Sequence, residues 1–228
     1  LNVSGGTLAG TGSITVSGIT SITAGTPQLA TALAANVFNL TGGSFTIASG
    51  GVLNLAAGGT VDGGATTLTN AGTLNVTGAA NLLINNGAHV VNNGAFDLQT
   101  DAGIQYTDGA GGVPTFTNAG VLKKSAGTSS TIGITNAFNF VNSGTLSANV
   151  GTINYAAVNT FNSGTTFNGA GANAVTTNST FNGTISSSNL TLQSGSYSGT
   201  ASLGGTTTWT GGTLASGSFT VPVGSALY

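Results

Sequence analysis

Large apolar residues alternate with polar ones in short runs along this chain, and the runs stop at the same punctuation. "TNAGTLNV" at 69–76 is typical: Asn, a spacer, Gly, a spacer, then a large apolar residue. The pattern Asn-x-Gly-x-(large apolar) appears as "NAGTL" from Asn70, "NNGAF" from Asn92, "NAGVL" from Asn118 and "NSGTL" from Asn142. Looser copies follow as "NSGTTF" from Asn162 and "NGTI" from Asn182, giving steps of 22, 26, 24, 20 and 20 residues. Alternation is the strand period, and a turn-strand signal returning at this interval predicts a solenoid with one repeat per coil. Further β-prone runs, "LLI" at 82–84, "HVV" at 89–91 and "FNFV" at 138–141, imply two to three short strands per coil of 20–26 residues. The fold class expected is all-β, a parallel β-helix (β-solenoid) over residues 1–228 as a single unit. At ~4.8 Å between strands, roughly ten coils make a rod of about 50 Å.

The register follows from the motif. Leu74, Phe96, Leu122, Leu146 and Phe167 form one inward core column, with Asn75, Asp97, Lys123 and Ser147 outward beside them. Asn70, Asn92, Asn118, Asn142 and Asn162 share a corner, where stacked side-chain amides can hydrogen-bond from coil to coil. The corner glycine is read as a residue that takes positive φ without steric cost. Asp97 and Lys123 become an exposed inter-coil pair, worth about 0–1 kcal/mol. Lys124 falls on the inward column of Val76, Leu98 and Ala148, so the strand is expected to end or bulge and release it to solvent. "QLATALAANVF" at 28–38 holds the strong helix formers and is read as a short helix or a packed loop.

Composition narrows the function classes. Only 3% of residues are charged, against about 25% usually, and Glu and Arg are absent. Two lysines and a net charge of −2 cannot neutralise a row of phosphates, which argues against nucleic acid. No run approaches the roughly 18 apolar residues of a spanning helix, so no membrane insertion of this segment is expected. The 39% hydrophobic content, spread over Val, Ile, Thr and Phe, separates the chain from disordered Gly/Ser-rich sequences. Cys and Met are absent, and a chain opening Leu-Asn-Val is expected to be a processed product or a piece of a longer one.

These repeats, with "SGGTLAGTGSITVSG" at 4–18, resemble the β-helical passengers of filamentous-haemagglutinin-type and autotransporter adhesins. The resemblance implies a right-handed β-helix exported to the bacterial cell surface or beyond. "TGGTLASGSFTVPVG" at 210–224 echoes the first motif, which suggests a unit of a tandem array or copies that stack end to end. The expected role is that of a structural rod in an adhesin or fibre, with self-association and host or surface glycans or proteins as partners. The alternative is a glycan-binding or polysaccharide-processing β-helix with an exposed carbohydrate site.

Candidate chemistry is sparse. Asp97, Asp101 and Asp108 are the only acidic cluster, and a solvated-turn reading suits them better than a pair of glycosidase carboxylates. Asp101 and Asp108 are the calcium candidates, since carboxylates and loop carbonyls suit a hard cation. His89 stands alone with no Cys, too few ligands for zinc. No catalytic residue and no cofactor is assigned, and the chain is not read as an enzyme. Trp209 is read as core before it is read as a sugar platform. Thr-rich rows raise ice binding by a flat Thr array, and the irregular 20–26 spacing argues against one.

Overall fold

The computed structural model describes residues 1–108, 110–134 and 138–228. They form an all-β solenoid of about 10 turns with no helix. Each coil visits three parallel rows of strands. The first row, an 11-stranded sheet, includes Ser44–Ile47, Thr67–Asn70, His89–Asn92, Thr115–Asn118 and Asn139–Asn142. The chain then turns the asparagine corner into the second row, through Thr73–Val76, Ala95–Leu98, Val121–Lys124 and Thr145–Ala148. The third row, including Gly59–Asp62, Leu82–Asn85, Ser129–Ile132 and Thr152–Tyr155, closes the coil. Four strands of 9 or 10 residues near the two ends run across the bend between the second and third rows.

One of those long strands, Ala32–Leu40, covers most of the stretch expected as a helix or loop. Leu33, Ala35, Phe38 and Leu40 all point into the core and pair with Leu53, Leu55, Gly59 and Val61 in the next coil. Burial on this alternating pattern overrides the helix preference of the alanines.

The second row stacks Leu53, Leu74, Phe96, Leu122, Leu146 and Phe167 in one inward file, each paired with the next. All six are fully buried. From Phe96 onward the core is aromatic. Rings pass contact from Phe96 through Phe116, Phe140, Phe161 and Phe181 to Tyr197, with centroids 5.0–6.2 Å apart. Trp209 ends this series at 5.4 Å from Tyr197 and 6.1 Å from Phe219, partly buried against the core.

Corner glycines are required for a reason other than the positive φ expected of them. Gly72, Gly94, Gly120 and Gly144 are not among the positive-φ glycines. They are needed because the coils touch: a Cβ on Gly94, Gly120 or Gly144 would lie 2.1–2.2 Å from the carbonyl oxygen of the glycine one coil earlier. Gly120→Ala therefore forces two coils apart and should cost about 1–3 kcal/mol, like overpacking in a core. Urea unfolding checks this. A gain in stability, the usual result of replacing an unconstrained glycine, would contradict the steric reading.

Candidate functional site

Two corners of the coil hold buried polar clusters. At the first, four consecutive first-row strands end in a buried asparagine. Asn70 Nδ2 donates to Asn92 Oδ1 (2.7 Å), Asn92 to Asn118 (2.6 Å), and Asn118 to Asn142 (2.6 Å). Each amide also donates to a second-row carbonyl of the coil above, at Ala95, Val121 and Thr145. Bonds within and between coils thus satisfy groups that would be costly to bury unpaired.

Asn162 lies outside this file. Phe161 occupies the position opposite Asn142, and Asn142 Nδ2 donates instead to Thr165 Oγ1 (2.9 Å). "NSGTTF" carries one more residue between Asn and the core aromatic than the other copies do. The core column keeps Phe167, so the asparagine is displaced to the outside, where it accepts a bond from Asn182 (3.1 Å).

The second corner lies between the second and third rows and is built around Lys124. The strand ends at Lys124 as expected, but no bulge releases the side chain. It stays inward between Leu98 and Ala148 and is 0% exposed. Its ammonium donates to Thr100 O (2.6 Å), Ser130 Oγ (3.0 Å) and Asp101 Oδ1 (3.4 Å). Three acceptors replace the lost water, which is what makes a buried ammonium tolerable.

Asp101, in turn, is wrapped by the loop that follows Lys124. Thr128 and Ser129 donate their backbone N–H groups to Oδ1, and the Thr128 hydroxyl donates to Oδ2 (2.9 Å). The loop can close this tightly because residue 127 is glycine. A Cβ there would lie 2.4 Å from Asp101 Oδ1 and 3.0 Å from Lys124 Nζ, on a backbone with φ +82°. The two backbone donors, then the Thr128 hydroxyl and Lys124, lower the Asp101 pKa from 3.8 to about 2.

Asp97 and Lys123 are neighbours in adjacent coils, 3.3 Å apart. The pair is not the exposed one expected. The Asp97 side chain is only 5% exposed, Gln99 Nε2 also donates to Oδ2 (3.1 Å), and Oδ1 has no partner among the described residues. Asp108 sits at a different corner, where its backbone oxygen accepts from Asn86 and its carboxylate from Ala110 N (3.3 Å). Among the described residues no group of three or more His or Asp side chains lies close enough to hold a metal ion. His89 is exposed on the first row between Thr67 and Thr115.

A third polar group has no counterpart in the sequence motifs. Tyr155, fully buried, donates its hydroxyl to Asn173 Oδ1 (2.8 Å), and burial raises its pKa well above the ordinary value. Asn159, also buried, donates to Thr177 and Ser179 hydroxyls. These asparagines sit outside the Asn-x-Gly motif, so only their inward register in a strand pattern could have flagged them. All three clusters join neighbouring coils, and their chemistry is that of internal fasteners.

The Asp101 nest makes a pH prediction. A depressed carboxyl pKa stabilises the fold above its unfolded value, 3.8, and the contribution is lost as pH falls through about 2. Unfolding midpoints of the parent chain should fall across that window. Asp101→Asn should flatten the dependence there, and an unchanged slope would contradict the nest.

The chain matches no protein-family model, no curated protein and no solved structure.

Proposed function

We propose that this chain is a structural segment of an extracellular rod, the shaft of a bacterial surface adhesin or fibre. The observation that carries the reading is the unbroken stacking itself. Each turn adds ~4.8 Å of length and a full set of inter-coil bonds, so the fold converts sequence into reach. The scarcity of charge fits a spacer that neither attracts nor repels its surroundings strongly. The resemblance to haemagglutinin-type passengers supports the same place, outside the cell, with host or surface glycans or proteins as targets of the wider assembly.

No observation favours the polysaccharide-processing alternative. Asp97 is covered and paired, and both oxygens of Asp101 accept from its own chain.

Antibodies raised against the folded chain test the role on intact cells of the source. Gold label on structures projecting from unpermeabilised cells is the expected result. Label appearing only after permeabilisation would overturn the proposal.

A further inference from the structure

The irregular spacing of the asparagine motifs argued against a regular threonine surface, and the structure removes that argument. Residue-count differences between coils are taken up in the links. Between the third and first rows the link runs from 63 to 66 in one coil and from 156 to 157 in another. The strands of the first row keep an unbroken register, whereas the combined second and third rows carry two register shifts.

The outward face of the first row is therefore a grid. Thr46, Thr69, Val91, Thr117, Val141 and Thr160 stand in one file on six consecutive strands, and Thr180 continues it. Two residues earlier on the same six strands, Ser44, Thr67, His89, Thr115, Asn139 and Val158 form a parallel, more mixed file. Neighbours are ~4.8 Å apart across strands and about 6.6 Å apart along them. Thr and Val are isosteric and stiff at χ1, so methyl and hydroxyl groups are held at repeating positions.

Three further observations say what such a grid fits. The hydroxyls are unspent: among the described residues, Thr46, Thr67, Thr69, Thr115, Thr117 and Thr160 make no side-chain hydrogen bond, and the Thr180–Ser198 pair (3.0 Å) closes the file. The Thr46-to-Thr180 file contains no charged or aromatic residue, and the only ring in the parallel file is the imidazole of His89. An ionic partner would need charge, and a sugar chain would gain most from aromatic faces to stack on. A regular file of hydroxyls and methyls, Thr46 to Thr180, matches an uncharged lattice of water, whose oxygen rows on ice planes repeat at comparable spacings.

We infer that the outward face of the first row, centred on Thr69 and Thr117, binds ice. The methyls order water between the files, and the hydroxyls join that water to the crystal. This does not depend on the proposed surface role: a rod in any location would present the same face.

Partition of the folded chain into a slowly growing ice sphere, with thermal hysteresis in the same samples, tests the inference. The parent chain should enter the ice and halt crystal growth. The double variant Thr69→Lys with Thr117→Lys should lose both properties, whereas Thr131→Lys, on the third row, should keep them. Circular dichroism checks that each variant remains folded. Should the lysine pair unfold, Thr117→Tyr keeps a strand-forming residue, lifts one side chain above the plane, and should also lose partition. Rejection of the parent chain from ice, partition of the folded face variants equal to the parent, or retention on crystalline cellulose without ice partition would overturn it.

Discussion

Coils of this solenoid must approach to the spacing of hydrogen-bonded strands at every point of their circumference, including the corners. That closeness selects the residues. At the corner between the first and second rows, only a residue without a side chain clears the carbonyl of the coil below, hence the file of Gly72, Gly94, Gly120 and Gly144. One step away, the side chain must satisfy a neighbour of its own kind, and an amide that both donates and accepts does so indefinitely. Asn70, Asn92, Asn118 and Asn142 are that chain of bonds.

The same constraint explains how a molecule this poor in charge uses what it has. Both lysines contact an aspartate contributed by the coil before them, Lys123 with Asp97 and Lys124 with Asp101. Inward-facing Lys124 is kept in place by acceptors from two coils, and Ala148 above it leaves the room that a larger residue would take. A buried charge held this way is a device of registration more than of net stability, because its desolvation offsets much of its attraction. It adds a lock specific to one coil on top of the repeating ladder.

How much of this was legible in the sequence depends on whether a feature repeats. The core file from Leu74 to Phe167 could be placed by motif spacing and two-residue alternation alone. The ladder could be placed as far as Asn142, but not at Asn162, where one extra residue separates the corner from the core. The environment of Lys124 is not legible because Thr100 and Asp101 lie in a link between strands, and Ser130 is a polar residue at an inward third-row position that Ile153 fills in the next coil. The corner glycines were read as positive-φ residues because sequence does not distinguish a backbone that bends from one that is crowded. Residues 28–38 were read by propensity, while stacking decided their structure. Motif spacing sums strand and link lengths, so it concealed a first row whose own register is regular.

The structural rod and the ordered outer face both rest on one-to-one stacking at the asparagine corner. Equilibrium unfolding of Asn118→Ala beside Asn162→Ala tests that stacking most directly, since the two residues share a motif and differ only in their place. Losing Asn118 strips Asn142 of a buried donor and Asn92 of a buried acceptor, and should cost about 1–3 kcal/mol. Asn162, outside the file, should change stability by no more than about 0.5 kcal/mol. Equal losses at both sites, or none at Asn118, would contradict the account.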